Sequence, residues 1–203
     1  MVVIGLTGGI ACGKSTVSAM LEARGVPVVD ADLVARDVVA PGSDGAEALR
    51  ARFGDGVLQA DGAVDRKALA QRVFHDDEAR AALNAVLHPR IAEESARRLA
   101  ALGAEGHAVA VYDAALLVET GSYRAMEALV VVSCSPEVQR ARLIARNGGD
   151  AADADARVAA QLPLAEKERV ATWVLRNDGG LDALASQVDA LVEALRARYG
   201  GGA

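Results

Sequence analysis

At 203 residues the chain is long enough for one domain with small appended lobes and too short for two independent large domains. Its 52% apolar residues can fill a substantial core and its 25% charged residues can keep a surface wet, which excludes disorder as the main state. Twenty-two Lys and Arg against 28 Asp and Glu leave a net charge of −6, the wrong sign for a nucleic-acid coat or a binder of anionic membranes. Any anion site must therefore be a local basic or backbone feature.

Aromatics are only 3% and alanine is over-used, a pairing that points to a helix-rich protein. Two cysteines, Cys12 and Cys134, are too few for a disulfide framework or a four-cysteine metal site, and their separation in sequence gives no reason to pair them. The N-terminus has no basic region ahead of its short apolar run, and no stretch approaches the ~20 apolar residues that span a bilayer. The expectation is a cytoplasmic protein.

Val2 to Leu6 is short, β-branched and almost purely apolar, the pattern of a strand covered on both faces of a parallel sheet. A glycine-rich turn follows, then Val17, Met20 and Leu21 at helical spacing with Gly25 as the cap. Val26 to Val29 reads as a second strand ending in Asp30-Ala31-Asp32, which completes a βαβ unit. From Asp37 to Gly106 the apolar residues fall on helical spacings, with Asp44-Gly45, Gly54-Asp55-Gly56 and Asp61-Gly62 as turns. Pro89 suits the first position of a helix carrying Ile91, Leu99 and Leu102. Strands return at 108–113 and 129–133. Ser135-Pro136-Glu137 then opens a capped helix bearing Arg140, Arg142 and Arg146, which stops at Asn147-Gly148-Gly149. Trp173 to Leu175 is a last strand. A final helix places Leu181, Leu184, Val188, Leu191, Val192 and Leu195 on one face, and the Gly-Gly-Gly-Ala tail is expected to fray.

The most specific feature is Gly8-Gly9-Ile10-Ala11-Cys12-Gly13-Lys14-Ser15-Thr16, a complete G-x-x-x-x-G-K-[ST]. Glycines let bare backbone approach a polyphosphate, and the helix starting near Lys14 adds its positive N-terminal dipole. Lys14 is placed to bridge β- and γ-phosphates, and the Ser15 hydroxyl to ligate Mg²⁺. Asn-Lys-x-Asp and Asp-x-x-Gly, which a guanine-nucleotide switch needs, do not occur.

Asp30-Ala31-Asp32 stands at the carboxyl end of a strand, where ligands of open α/β sheets gather. The pair reads either as helix caps or as a cap plus a carboxylate for proton transfer. Val109 to Asp113 is a strand ending in an acid, which many strands do; behind a glycine loop of this kind it reads equally as an ordinary strand end or as a Mg²⁺ ligand, direct or through water. Arg140 and Arg142 read either as a solvated face or as phosphate ligands, and Arg146 beside its Asn-Gly-Gly hinge as an arginine that closes over phosphates. His88, before Pro89, reads equally as a substrate contact or a structural helix-entry residue, and Cys12 as a small side chain in the loop.

These residues together resemble the dephospho-coenzyme A kinase family over nearly the whole chain. The resemblance is carried by Gly5-Leu6-Thr7-Gly8-Gly9-Ile10 running into Gly13-Lys14-Ser15-Thr16, and by Asp30-Ala31-Asp32 with Ala35-Arg36. His88-Pro89, Asp113 with Leu116-Leu117 and Glu119, Gln161-Leu162-Pro163-Leu164 with Glu166-Lys167, and Asn177 complete it. It departs from the family at Ala11-Cys12, where Gly-Ser is usual, at Ala115, where proline is common, and at Asn147, where aspartate often follows the lid arginine. A methyl at position 11 matters if that residue needs positive φ.

The resemblance implies an α/β fold with a P-loop NTPase-type parallel sheet flanked by helices. The nucleotide core would span 1–36, 107–135 and 171–203, a helical region for the coenzyme A precursor 37–106, and a helical lid 136–170. It implies transfer of the ATP γ-phosphoryl group to the ribose 3′-hydroxyl of dephospho-coenzyme A. Asp32 would act as base, with Lys14, Arg140 and Arg146 on the phosphates. Asn177 would join the loop residues at ATP, and Arg36, His88, Leu116 and Glu119 would join Asp32 at the acceptor. Mg²⁺ would accompany ATP on Ser15 and Asp113. The expected partners are the two small-molecule substrates, without nucleic acid or membrane, and the expected state is a monomer. The rival expectations are another P-loop kinase, for a nucleoside monophosphate or sugar acid, and a P-loop regulatory ATPase.

Overall fold

The computed structural model describes residues 1–74 and 76–200, so residues 201–203 of the tail lie outside the described residues. The chain divides into two compact units, Met1–Val29 with the chain from Leu102 onward, and Asp30–Ala101.

In the first unit, β1 (Val2–Gly8) leads through the glycine loop to α1 (Lys14–Glu22), with Gly25 at φ 78° beyond it. The other strands are β2 (Val28–Asp30), β3 (Val109–Asp113), β4 (Ala128–Ser133) and β5 (Trp173–Arg176). Among the described residues they form one five-stranded sheet in the order β2-β3-β1-β4-β5. The β1–β3, β1–β4 and β4–β5 pairs are parallel, with Leu6 opposite Asp113 and Gly8 opposite Val132. Every residue of β4 is buried, as both-face covering requires. Its alternation feeds two cores. Val130 and Val132 join Ile4, Leu6, Val17, Leu21, Leu184 and Val188 on one face, while Leu129 and Val131 join Leu117 on the other.

After β4, α6 (Pro136–Asn147) starts as its sequence predicts: the Ser135 hydroxyl accepts from the Val138 N–H, Pro136 opens the helix, and Gly148 at φ 65° ends it. Two further helices, α7 (Ala151–Ala159) and α8 (Leu164–Arg169), precede β5. The last helix, α9 (Leu181–Tyr199), buries Leu184, Val188, Leu191, Val192 and Leu195. Leu181, expected on the same face, is 65% exposed because it sits in the opening turn beyond the reach of the core.

The second unit is helical: α2 (Ala31–Asp37), α3 (Asp44–Phe53), α4 (Arg66–Val73) and most of α5 (Asp77–Ala104). Val39, Leu49, Phe53, Val57 and Leu69 form its own core. Two expectations fail here. Asp44-Gly45 is not a turn but the start of α3, because Ser43 caps the helix one residue earlier. Gly45 belongs there for space, since a Cβ would lie 2.0 Å from the Val38 carbonyl oxygen. Pro89 does not open a helix but lies inside α5. Pro89 and Ala85 are both exposed, so water can take the carbonyl that the missing N–H leaves. His88 is accordingly an exposed mid-helix residue, not a helix-entry one.

Candidate active site

The glycine loop connects the carboxyl end of β1 to the amino end of α1, and its shape is held from several directions. Gly8 runs so close to β4 that a Cβ would lie 2.6 Å from the Val132 carbonyl oxygen. Gly13 caps α1 at φ 95°, and its carbonyl accepts from the Thr16 and Val17 N–H groups. Ala11 has φ 60° and is the single non-glycine residue with positive φ among the described residues. The position where the family usually has glycine thus does need the left-handed conformation.

Three polar side chains from late in the chain grip the loop backbone. Gln139 on α6 donates to the Ile10 carbonyl at 2.8 Å, and Gln161 accepts from the Ile10 N–H at 2.8 Å. Asn177, just after β5, is buried and donates to the Cys12 carbonyl at 2.8 Å. Below the loop lies Lys167 of α8, fully buried, whose Nζ donates to the carbonyls of Gly8 (3.4 Å) and Ala115 (3.3 Å). Its charge is balanced by Glu119 at 2.6 Å. Burying a lysine this deeply is costly unless it is paired and hydrogen-bonded, and the carboxylate and the two carbonyls supply those contacts.

Lys14, on the first turn of α1, reaches Asp113 at the end of β3 in an ion pair, and Asp113 also accepts from the Ser18 hydroxyl at 2.6 Å. The adjacency of β1 and β3 brings these residues together. Asp113 is 1% exposed, whereas Ser15, on the same helical turn as Lys14, is exposed.

The arginines separate by environment. Arg140 forms a two-pronged pair with Asp155 of α7 (2.7 and 2.5 Å), which holds its guanidinium more firmly protonated than usual. Arg146 is exposed and contacts its neighbour Asn147 at 3.2 Å. Arg142 is the arginine beside the loop clamp. Its Nη2 lies 3.4 Å from the Asn177 amide oxygen, and its Nη1 is buried without a hydrogen-bond partner among the described residues.

In the second unit Asp30 is the cap of α2, accepting from the Asp32 and Leu33 N–H groups at 2.7 and 3.1 Å. Asp32 itself is exposed, and its carboxylate has no partner among the described residues. Arg36, in the last turn of α2, is exposed. Leu116 is half exposed in the first unit, and Glu119 is engaged by Lys167 and by the Leu162 N–H. Gln139 and Ser18 were not singled out from sequence. A buried polar residue one turn into an amphipathic helix is legible only once its neighbours are known.

A glycine loop between a parallel strand and a helix N-terminus, with a lysine on that helix paired to an acid on the neighbouring strand, is the frame of a P-loop nucleotide-binding protein. Structural likeness agrees at the level of fold. Shikimate kinase from Acinetobacter baumannii superimposes with a TM-score of 0.53 at 13% identity, over 98% of this chain and 94% of that one. Crystallised TT1252 from Thermus thermophilus matches at 0.82 with 35% identity, over 96% and 97%. The family model for dephospho-CoA kinase matches residues 2–183, and the dephospho-CoA kinase of Anaeromyxobacter dehalogenans is 50% identical over 98% of this chain and 95% of its own. The chain belongs to the dephospho-CoA kinase family, and its activity is that of an ATP-dependent kinase, a transferase. No helix among the described residues is long and apolar enough to cross a membrane.

Proposed function

We propose that the chain moves the γ-phosphoryl group of ATP to the ribose 3′-hydroxyl of dephospho-coenzyme A, and that Asp32 orients and deprotonates this hydroxyl. The observation that carries the role of Asp32 is the capping of α2 by Asp30, which leaves the second carboxylate free for chemistry. Lys14 leaves Asp113 for the β- and γ-phosphates when nucleotide fills the loop. Arg142, which reaches Asn177 through one terminal nitrogen and has the other unpartnered among the described residues, is a further phosphate-side or base-side cation, joined by Arg140 and Arg146 when the 136–170 segment closes as a lid. Arg36, His88 and Leu116 serve the acceptor, and Glu119 acts there through the Lys167 pair.

The Ser15 hydroxyl and Asp113 carboxylate are hard oxygen donors of the kind Mg²⁺ takes, and Asp113, already engaged by Lys14 and Ser18, suits a role through water. Bound with ATP, the ion offsets phosphate charge. The protein's own contribution is alignment of hydroxyl and phosphoryl group, exclusion of water and fixed positive charge, the main sources of acceleration in phosphoryl transfer. The enzyme works as a cytoplasmic monomer in this reading.

ADP release from Mg·ATP, measured with and without dephospho-coenzyme A and with coenzyme A followed by mass, tests the reaction. ADP and coenzyme A should appear together and only with acceptor; ADP release indifferent to acceptor sinks the substrate assignment. Asp32→Asn should lower turnover by roughly 10²–10⁴-fold at unchanged ATP affinity. A loss under about tenfold removes the base role.

A further inference from the structure

The two cysteines meet. Cys12 lies in the glycine loop and Cys134 directly after β4, 122 residues apart, yet their sulfurs are 3.1 Å from one another. Both are buried, 0% and 3% exposed, at the edge of the core formed with Val17 and Val132. The loop around Cys12 is under defined constraints: its N–H donates to the Gly9 carbonyl at 3.1 Å, its own carbonyl accepts from Asn177, and its neighbour Ala11 is held at positive φ.

We propose that Cys12 and Cys134 are a reversible disulfide pair whose oxidation disables the phosphate loop. The oxidant is a hydroperoxide, in the simplest case hydrogen peroxide. The Cys134 sulfur attacks one peroxide oxygen, the O–O bond breaks, and water leaves with the thiol's proton, giving a sulfenic acid. The Cys12 sulfur then attacks the Cys134 sulfur, the S–O bond breaks, and a second water leaves with the Cys12 proton as the S–S bond forms. The two thiols lose two electrons and the peroxide gains them. A dithiol reverses the bond by exchange.

Cys134 is the first to react because it is the less enclosed of the two. Its acidity points the same way: the hydrogen bond shared with Cys12, and then the Arg142 charge, hold its thiol below the ordinary value, while the same contact and burial push the Cys12 thiol up. The pair's consequence is geometric. A disulfide brings the sulfurs from 3.1 Å to about 2.05 Å. The shift of about 1 Å falls on the loop, since Cys134 follows a fully buried strand. Cys12 then pulls on the carbonyl held by Asn177 and on its own N–H bond to the Gly9 carbonyl, which changes the shape of the loop.

The disulfide stands independently of the acceptor assigned above; only its effect rests on the loop binding ATP. The test exposes the purified full chain to hydrogen peroxide, maps the unreduced peptides by mass, and measures ATP affinity before oxidation, after it, and after dithiothreitol. The expected result is one linked peptide joining Cys12 to Cys134 and ATP binding at least tenfold weaker, both reversed by dithiothreitol. Cys134→Ala should keep its ATP affinity through the same treatment. Sulfinic or sulfonic acid at either cysteine without the link, or a link only between molecules, overturns the pair. A linked peptide with ATP affinity within twofold of the reduced protein overturns the control of the loop. Peptide mapping needs neither nucleotide nor acceptor, so failure of the pair and failure of the proposed reaction are separate results.

Discussion

Asn177 donates a hydrogen bond to the Cys12 carbonyl across 165 residues of sequence, and the same amide nitrogen lies 2.3 Å from where a Cβ on Gly13 would stand. The side chain thereby braces the two loop residues that precede Lys14. Asn177→Ala leaves the carbonyl unpaired and opens space beside Gly13. Losing one such bond costs about 1–2 kcal/mol, and ATP affinity measured by calorimetry should fall roughly tenfold. Affinity within twofold of wild type would show that the loop holds its shape without the brace.

Ala11 holds φ 60° at a loop position where a methyl group is disfavoured. The left-handed conformation costs an L-residue about 1–2 kcal/mol, and glycine returns part of that through greater unfolded-state freedom. Ala11→Gly should therefore stabilise the protein by about 0.5–1 kcal/mol, read as a higher urea midpoint at unchanged slope. A lower midpoint would mean that the neighbouring contacts, not the methyl, set this conformation.

Lys167 is fully buried beneath the loop, with Glu119 as its counter-charge. Lys167→Met fills the same volume but strips two carbonyls and a carboxylate of their donor. Removing one partner of a buried pair is worth on the order of 3 kcal/mol, or a fall in Tm of roughly 6–12 °C for a chain of this size. Double replacement with Glu119→Gln should recover part of the loss, whereas equal loss in the double variant argues that the carbonyls dominate.

Glu94 in the helical unit accepts hydrogen bonds from Arg97 and Arg98, Arg97 first, and these hold its carboxyl at about 2 against an ordinary 4.5. Arg98 also reaches Asp37 on α2 at 2.7 Å. The folded value is the depressed one, so the stabilisation is complete above pH 4.5 and disappears as pH falls towards about 2. Urea midpoints of wild type and Glu94→Gln should differ near neutral pH and converge on acidification. Midpoints that keep a constant gap through this range would remove the linkage.

Much of this protein was legible from local pattern. The β1–loop–α1 unit, the Ser135-Pro136 start of α6 and the spacing of α9 follow from period and cap chemistry, which act between near neighbours. The placing of Lys14 and Ser15 on the first turn of α1 follows for the same reason, since the glycine loop and the helix after it are neighbours in sequence. Asp44-Gly45 and Pro89 misled because each carries a strong turn or helix-start preference that context overrode. Ser43 supplied an earlier cap, and the exposed face of α5 tolerated a missing N–H.

What sequence determined by itself was therefore the class of chemistry and the backbone that performs it. Tertiary structure decided which distant polar groups close around that backbone: Gln139, Gln161 and Asn177 on the loop, Lys167 beneath it, Asp113 on Lys14, and Cys134 on Cys12. Those choices depend on strand order, because the sequence β2-β3-β1-β4-β5 brings the ends of β3, β4 and β5 to the loop that follows β1. Side-chain period reports which face of an element is buried, but carries no record of which element covers it.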